Sequence, residues 1–134
     1  MKDIFFPANY EGIEAAQQHI QNVLEAAGCS AKTAFQVDVA AEEIMVNIVE
    51  YSGIDETDSI HISYEVENNT LKLTFADKGV PYNPITKDPP DLSPEVRLNT
   101  TGGLGIYMVK QTMDDLSYEH TNGENRLTIV KKLS

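Results

Sequence analysis

Glu43 and Asn47 form an acid and amide pair four residues apart in the sequence. The apolar spacing around them predicts a helix from about 31 to 51, and at about 100° per residue the two side chains then share one face. That face borders the apolar stripe, so both lie where the buried and exposed sides meet, whereas Glu42 points to solvent. The pair is also typical of an ordinary solvated helix face.

A second candidate pair, Asp77 and Gly79, follows a predicted strand that ends near Phe75. An ionised carboxylate accepts hydrogen bonds, so Asp77 could accept one from the exocyclic amine of a base. The glycine would allow the backbone to lie close to the ring of that base. An acid and a glycine after a strand are equally typical of a simple turn, so the pattern leaves both interpretations open.

A third candidate is a glycine-rich segment at the predicted start of a helix. Glycines there allow successive N–H groups to point at one ligand, and the helix N-terminus adds about half a positive charge. These features favour phosphate binding, although glycines also permit close packing. The spacing matches neither the phosphate loop that ends in Gly-Lys-Ser/Thr nor the pattern G-x-G-x-x-G. The candidate residues are Thr101, Gly102, Gly103, Leu104, Gly105 and Ile106.

The elements that must position these residues follow from the apolar periodicity. Helical spacing predicts helices at about 10–27, 31–51 and 104–113, and alternation predicts strands near 4–6, 60–66, 71–75, 116–120 and 126–133. This order predicts an α/β (α+β) fold, a two-layer sandwich with helices on one face of a mixed, largely antiparallel sheet. The proline-containing stretch at about 84–101 has almost no periodicity, and we predict that it is a lid.

Length and charge restrict the class of protein. The 134 residues predict a single domain over 1–134. The formal net charge of −11 repels nucleic acid and anionic membrane, so neither is an expected partner. A phosphate compound could still bind where backbone N–H groups and a metal ion neutralise it locally. With one cysteine, no signal-peptide pattern and no apolar run of about 20 residues, we expect a cytoplasmic protein.

The three candidate sets also resemble a known series of motifs. In sequence order they are Glu43-x-x-x-Asn47, Asp77-x-Gly79-x-Pro81 and Gly102-Gly103-Leu104-Gly105, and they resemble the N, G1 and G2 boxes of the GHKL ATPases. The short length and the segments 5–8 and 125–129 are similar to the stand-alone branch, the anti-sigma factor serine/threonine protein kinases. The resemblance covers essentially the whole chain. It implies a histidine-kinase-like ATPase domain with the Bergerat ATP-binding fold, in which a lid lies between the second and third boxes.

The resemblance further implies a metal site and a catalytic residue. Asn47 would bind Mg²⁺, which bridges the phosphates of ATP and keeps several waters. Glu43, one helical turn earlier, would orient or deprotonate the attacking hydroxyl. The expected cofactors are therefore ATP and Mg²⁺.

The same resemblance implies contacts to the base and to the phosphates. Asp77 would accept a hydrogen bond from the adenine amino group, and Gly79 would leave room for the ring. The segment from Thr101 to Ile106 would hold the phosphates. Thr128, on the last strand, would help to bind adenine.

The partners implied by the resemblance are proteins. In the family, the attacking hydroxyl belongs to a serine or threonine of an anti-anti-sigma protein, the antagonist. Its phosphorylation separates it from the kinase, which then sequesters a sigma factor or similar regulator. Two other functions remain open, a nucleotide-gated binding module that transfers nothing and a simple ATPase without a protein acceptor. A homodimer is an option that the resemblance also leaves open.

Overall fold

The computed structural model describes residues 2–55, 57–86 and 103–134, with the backbone alone for 86 and 103–105. The described part contains the strands β1 (Lys2–Pro7), β2 (Ser59–Glu67), β3 (Thr70–Asp77), β4 (Asp115–Thr121) and β5 (Glu124–Lys132). It also contains the helices α1 (Tyr10–Ala27), α2 (Ala31–Tyr51) and α3 (Gly103–Thr112), and a 3₁₀ turn at Pro84–Thr86. Apart from that 3₁₀ turn, the predicted lid at about 84–101 lies outside the described residues.

The five strands form one sheet in the order β1-β2-β3-β5-β4, so β3 is the central strand. All four pairings in the described part of the chain are antiparallel. The predicted two-layer sandwich with a largely antiparallel sheet is therefore confirmed. The register of β3 against β5 places Asp77 directly opposite Asn125 and Thr74 opposite Thr128.

Alternation along the strands separates the two faces of the sheet. The face covered by the helices carries buried apolar side chains, among them Leu73, Phe75 and Ile129, which pack against Val37 and Ile44 of α2. Burying each large side chain contributes roughly 1.5–3 kcal/mol. No helix among the described residues is long and apolar enough to span a bilayer.

Capping residues explain where α1 and α2 begin and where α1 ends. The Asn9 side chain accepts a hydrogen bond from the Gly12 N–H at 2.7 Å, and Ser30 accepts one from Thr33 at 3.2 Å. Gly28 ends α1 in the left-handed conformation at φ 74°, which glycine adopts without strain. The two helices therefore meet at a short turn and form an antiparallel pair over the sheet.

Gly12 has no space for a side chain, because a Cβ atom there would lie 1.8 Å from the carbonyl oxygen of Pro7. Alanine normally stabilises a helix relative to glycine by about 1 kcal/mol. We nevertheless expect Gly12→Ala to lower the free energy of unfolding by about 2 kcal/mol, since β1 and α1 must move apart. Urea denaturation followed by circular dichroism measures this change. The exposed Glu14→Ala control should stay within about 0.5 kcal/mol of the wild type, and a Gly12→Ala protein of equal stability would contradict the close contact.

Candidate functional site

A pocket lies between α2 and the helix-facing sides of β3, β4 and β5. It has about 310 Å³ of empty space, including open solvent at its mouth. It brings together Asn47 and Asp77, which the sequence analysis selected from two separate segments. Its lining residues are Ile44, Asn47, Ile48, Ser52, Phe75, Asp77, Tyr82, Pro84, Tyr118, Asn125 and Leu127.

Asn47 lies in this pocket with only 3% of its surface exposed. Its Nδ2 donates to two acceptors of Glu43, the backbone oxygen at 2.8 Å and Oε1 at 3.0 Å. Its Oδ1 is buried and accepts no hydrogen bond from the described residues. A buried oxygen without a donor is costly, and an uncharged amide oxygen is a ligand type that Mg²⁺ accepts. The residue therefore fits a magnesium ion.

Glu43 determines how the Asn47 amide is oriented. The carboxylate and the backbone carbonyl of Glu43 are both acceptors, so the end of the amide that faces them must be the NH₂ group. The amide oxygen is thereby turned away from Glu43. The half-buried Glu43 carboxylate itself lies one turn before Asn47 on the same side of α2, where it could accept a proton from a hydroxyl group bound nearby.

Asp77 ends the central strand and is 3% exposed. Its Oδ1 accepts hydrogen bonds from the backbone N–H of Gly79 at 2.9 Å and from Asn125 Nδ2 at 3.1 Å. Burial raises the pKa of Asp77, and the hydrogen bonds from Asn125, Gly79 and Ser52, in decreasing order of effect, act in the opposite direction. The other oxygen, Oδ2, can accept a hydrogen bond from a ligand that carries an amine.

Gly79 is required by a protein contact. A Cβ atom at this position would lie 2.2 Å from the backbone oxygen of Ser52, the residue that caps the end of α2. The N–H of Val80 donates to the same oxygen at 2.7 Å. The missing side chain of Gly79 thus allows the turn after β3 to pack on the end of α2. That Gly79 also leaves room for a base ring stays a prediction.

The glycine-rich segment is described only in part. Helix α3 begins at Gly103, one residue before the predicted start, while Thr101 and Gly102 lie outside the described residues. Leu104 and Gly105 follow in the first turn. Ile106 is 3% exposed and belongs to the core, so its side chain faces the protein interior and only its backbone could contact a phosphate.

The structure does not bring Thr128 together with Asp77. Thr128 lies on the opposite face of the sheet, where its hydroxyl is 2.9 Å from that of Thr74. Asn125 is the β5 residue opposite Asp77, and sequence reasoning missed it. One signal could have identified it, because Asn125 is in phase with the inward-facing Leu127 and Ile129. Ser52, Tyr82 and Tyr118 were missed as well.

Comparisons with known proteins agree with this geometry. The family described as histidine kinase-like ATPase domain matches residues 6–131. The serine/threonine-protein kinase BtrW of Bordetella bronchiseptica is 29% identical over 102 residues, covering 75% of this chain and 72% of BtrW. The serine-protein kinase RsbW of Bacillus thuringiensis is 26% identical over 121 residues, covering 87% of this chain and 76% of RsbW.

Solved structures share the fold. The crystal structure of the RsbU and RsbW domains of Rv1364c from Mycobacterium tuberculosis has a TM-score of 0.69 at 12% identity. It covers 99% of this chain, which spans 33% of that longer chain. The crystal structure of the SiaB-SiaC complex from Pseudomonas aeruginosa has a TM-score of 0.60 at 16% identity and covers 98% of this chain and 89% of that chain. The match over residues 6–131, together with this sheet and pocket, shows that the chain belongs to the histidine kinase-like ATPase domain family.

Proposed function

We propose that this protein is an ATP-dependent serine/threonine protein kinase that regulates a partner protein. The observation that carries the proposal is the buried Oδ1 of Asn47, which accepts no hydrogen bond from the described residues and lies one helical turn from Glu43. A metal-binding amide next to a carboxylate is the combination that phosphoryl transfer to a hydroxyl requires. The names of the relatives BtrW and RsbW, both protein kinases, support the same activity.

ATP lies in the pocket with its base at Asp77 and its phosphates toward the start of α3. Asp77 accepts a hydrogen bond from the adenine amine, and Gly79 keeps the adjoining turn close to α2. The segment from Thr101 to Ile106 supplies backbone N–H groups to the phosphates. Bound Mg²⁺ would neutralise phosphate charge, with Asn47 Oδ1 as its protein ligand. Such local neutralisation is needed because the chain has a net charge of −11.

The transfer step uses Glu43 as the proton acceptor. The hydroxyl oxygen of the acceptor serine or threonine forms a bond to the γ-phosphorus, while the bond from that phosphorus to the bridging oxygen breaks. ADP leaves with the electron pair, and the hydroxyl proton passes to the Glu43 carboxylate. The hydrogen bond from Asn47 Nδ2 to Glu43 Oε1 holds the carboxylate beside the metal ligand during this step.

The acceptor is an antagonist protein of the anti-anti-sigma type, and the sequestered partner is a sigma factor or a similar regulator. Phosphorylation adds a charge of about −1.5 to −2 to the antagonist, which an acidic kinase then repels. The freed surface binds the regulator in the cytoplasm. This part of the proposal rests on the resemblance of the motifs.

We expect Glu43→Gln to lose phosphate transfer by at least about a hundredfold while binding ATP within about threefold of the wild type. Glutamine cannot accept the proton, although its side-chain oxygen can still accept the hydrogen bond from Asn47. Radiolabelled ATP is incubated with the chain and with a small protein of the antagonist type as the acceptor. The label on the acceptor is then quantified on a gel.

The matched control is Glu42→Gln, which removes an equal charge from an exposed position one residue away. It should retain wild-type transfer. Label that reaches only water in the wild type would instead identify a simple ATPase. ATP binding without transfer or hydrolysis would identify a nucleotide-gated binding module, and undiminished transfer by Glu43→Gln would contradict the role of Glu43.

We expect Asp77→Asn to weaken ATP binding by at least about a hundredfold, because its NH₂ group would face the adenine amine or displace the donors of Asn125 and Gly79. The folded protein should be no less stable at pH 7. Burial raises the folded pKa of Asp77, so its contribution to stability is present in acid and is lost as pH rises through that pKa. Isothermal calorimetry and thermal melting measure both quantities. A variant that melts well below the wild type would show that ATP binding was lost through unfolding.

A further inference from the structure

Asn125 lines the pocket, is 4% exposed, and makes hydrogen bonds through both ends of its side-chain amide. Its Nδ2 donates to Asp77 Oδ1 at 3.1 Å and to the backbone oxygen of Val80 at 2.8 Å, with a longer contact to Gly79 O at 3.4 Å. Its Oδ1 accepts from the Tyr82 N–H at 3.0 Å and from the Tyr118 hydroxyl. The side chain is therefore bonded to β3, to β4 and to the turn after β3.

These contacts use the whole hydrogen-bonding capacity of the amide. A side-chain amide has two N–H donors and an oxygen with two lone pairs. Asp77 and Val80 take the donors, and Tyr82 and Tyr118 take the lone pairs. Asn125 thus has nothing left to offer a bound base, although it lines the pocket. Any effect that it has on a ligand must act through the groups it holds.

Of the groups to which Asn125 is hydrogen-bonded, Asp77 is the one proposed to contact a ligand. Two donors, Gly79 N and Asn125 Nδ2, bind the same carboxylate oxygen, so the plane of the carboxylate is fixed and Oδ2 is left for the ligand. Only one of these donors is a side chain that substitution can remove. The two residues are 48 positions apart, and they meet because β3 and β5 pair in this register.

We propose that Asn125 is the positioning residue that makes the pocket selective for a purine carrying an exocyclic amine, because it holds Asp77 as an oriented hydrogen-bond acceptor. The inference rests on the proposed function, in which Asp77 binds the base of a nucleotide. Without Asn125 the buried carboxyl loses a donor that favours its ionised form. A protonated carboxyl group can donate to a carbonyl oxygen, and it then no longer discriminates against a 6-oxopurine.

The other side chains around Asp77 have smaller effects on its pKa than Asn125 has. Glu124 on β5 raises the pKa of Asp77 through its charge, as the weakest of the causes. From β4 and the turn, Tyr118 and Tyr82 present phenol groups, and from α2 the pocket is lined by the uncharged Asn47 and Ser52. The Ser52 hydroxyl also lowers the pKa of Asp77, but less than Asn125 does, and it donates to the backbone oxygen of Ile48 at 2.6 Å. The amide of Asn125 is the larger side-chain cause, and it donates directly to the carboxylate at 3.1 Å.

The test measures dissociation constants for ATP and for inosine triphosphate, which differ at the 6-position of the purine, from pH 5 to 8.5. Titration of the phosphates cancels in the ratio of the two constants. The wild type should prefer ATP by about a hundredfold at pH 8 and lose this preference as pH falls through the pKa of Asp77. Asn125→Leu has nearly the same shape without the donor. The comparison is made at the lowest pH at which the wild type keeps its full preference. At that pH the preference of Asn125→Leu for ATP over inosine triphosphate should be at least about tenfold smaller than that of the wild type.

A merely structural role for Asn125 predicts a different result. Loosening of the pocket would weaken the binding of both nucleotides by a common factor. A ratio of dissociation constants in Asn125→Leu that equals the wild-type ratio at every pH would therefore overturn the inference. If Asn125→Leu fails to fold, Tyr118→Phe decides, since it removes one hydroxyl that fixes the amide. Its ratio should fall about threefold at the same pH, and an unchanged ratio overturns the inference. The control is Ser117→Ala, which removes an exposed hydroxyl one residue away.

Different outcomes contradict the proposed function and the role of Asn125. A wild type that binds ATP and inosine triphosphate equally at every pH would remove the base-binding role of Asp77, and the proposed function with it. A wild type that discriminates, together with an Asn125→Leu protein that discriminates in the same way, would overturn only the role of Asn125.

Discussion

Asp77, a carboxylate at the end of the central strand, constrains the structure of the pocket more than any other single group. Taking an acid out of water is expensive unless hydrogen bonds compensate for it. The protein compensates with one backbone N–H, from Gly79, and one side-chain amide, from Asn125. Each of these groups has further ties, Gly79 to the end of α2 and Asn125 to β4 and the following turn. Satisfying one buried charge therefore orders four neighbouring segments.

The second polar centre of the pocket is built by a different principle. Asn47 is held by its own helix, through the backbone and side chain of Glu43, and its oxygen has no donor among the described residues. Asp77 is largely satisfied by the protein, whereas Asn47 is only half satisfied. A ligand that supplies a cation near α2 and an amine near β3 complements both. This complementarity gives physical content to the membership of the chain in an ATPase domain family.

Local patterns predicted much of the fold because the relevant interactions are local. The apolar periodicity located α1 and α2, which are bounded by Gly28 at the end of α1 and by Ser30 at the start of α2. The pair Glu43 and Asn47 was predicted to share a face, since four residues make about one helical turn. Strand pairing is long-range, and its register is not encoded in the spacing of one segment. The residue on β5 that the family resemblance implied was Thr128, whereas the register places Asn125 opposite Asp77.

Helix α2 links the two ends of the pocket through a single rigid element. Asn47 lies near its end, and Ser52, five residues later, is the surface on which the turn after Asp77 rests. At about 1.5 Å per residue, this span corresponds to roughly 7.5 Å along the helix axis. The helix thus sets the distance between the Asn47 end and the Asp77 end of the pocket. Under the proposed function, a nucleotide would have to present its base and its phosphates at a separation that this helix sets.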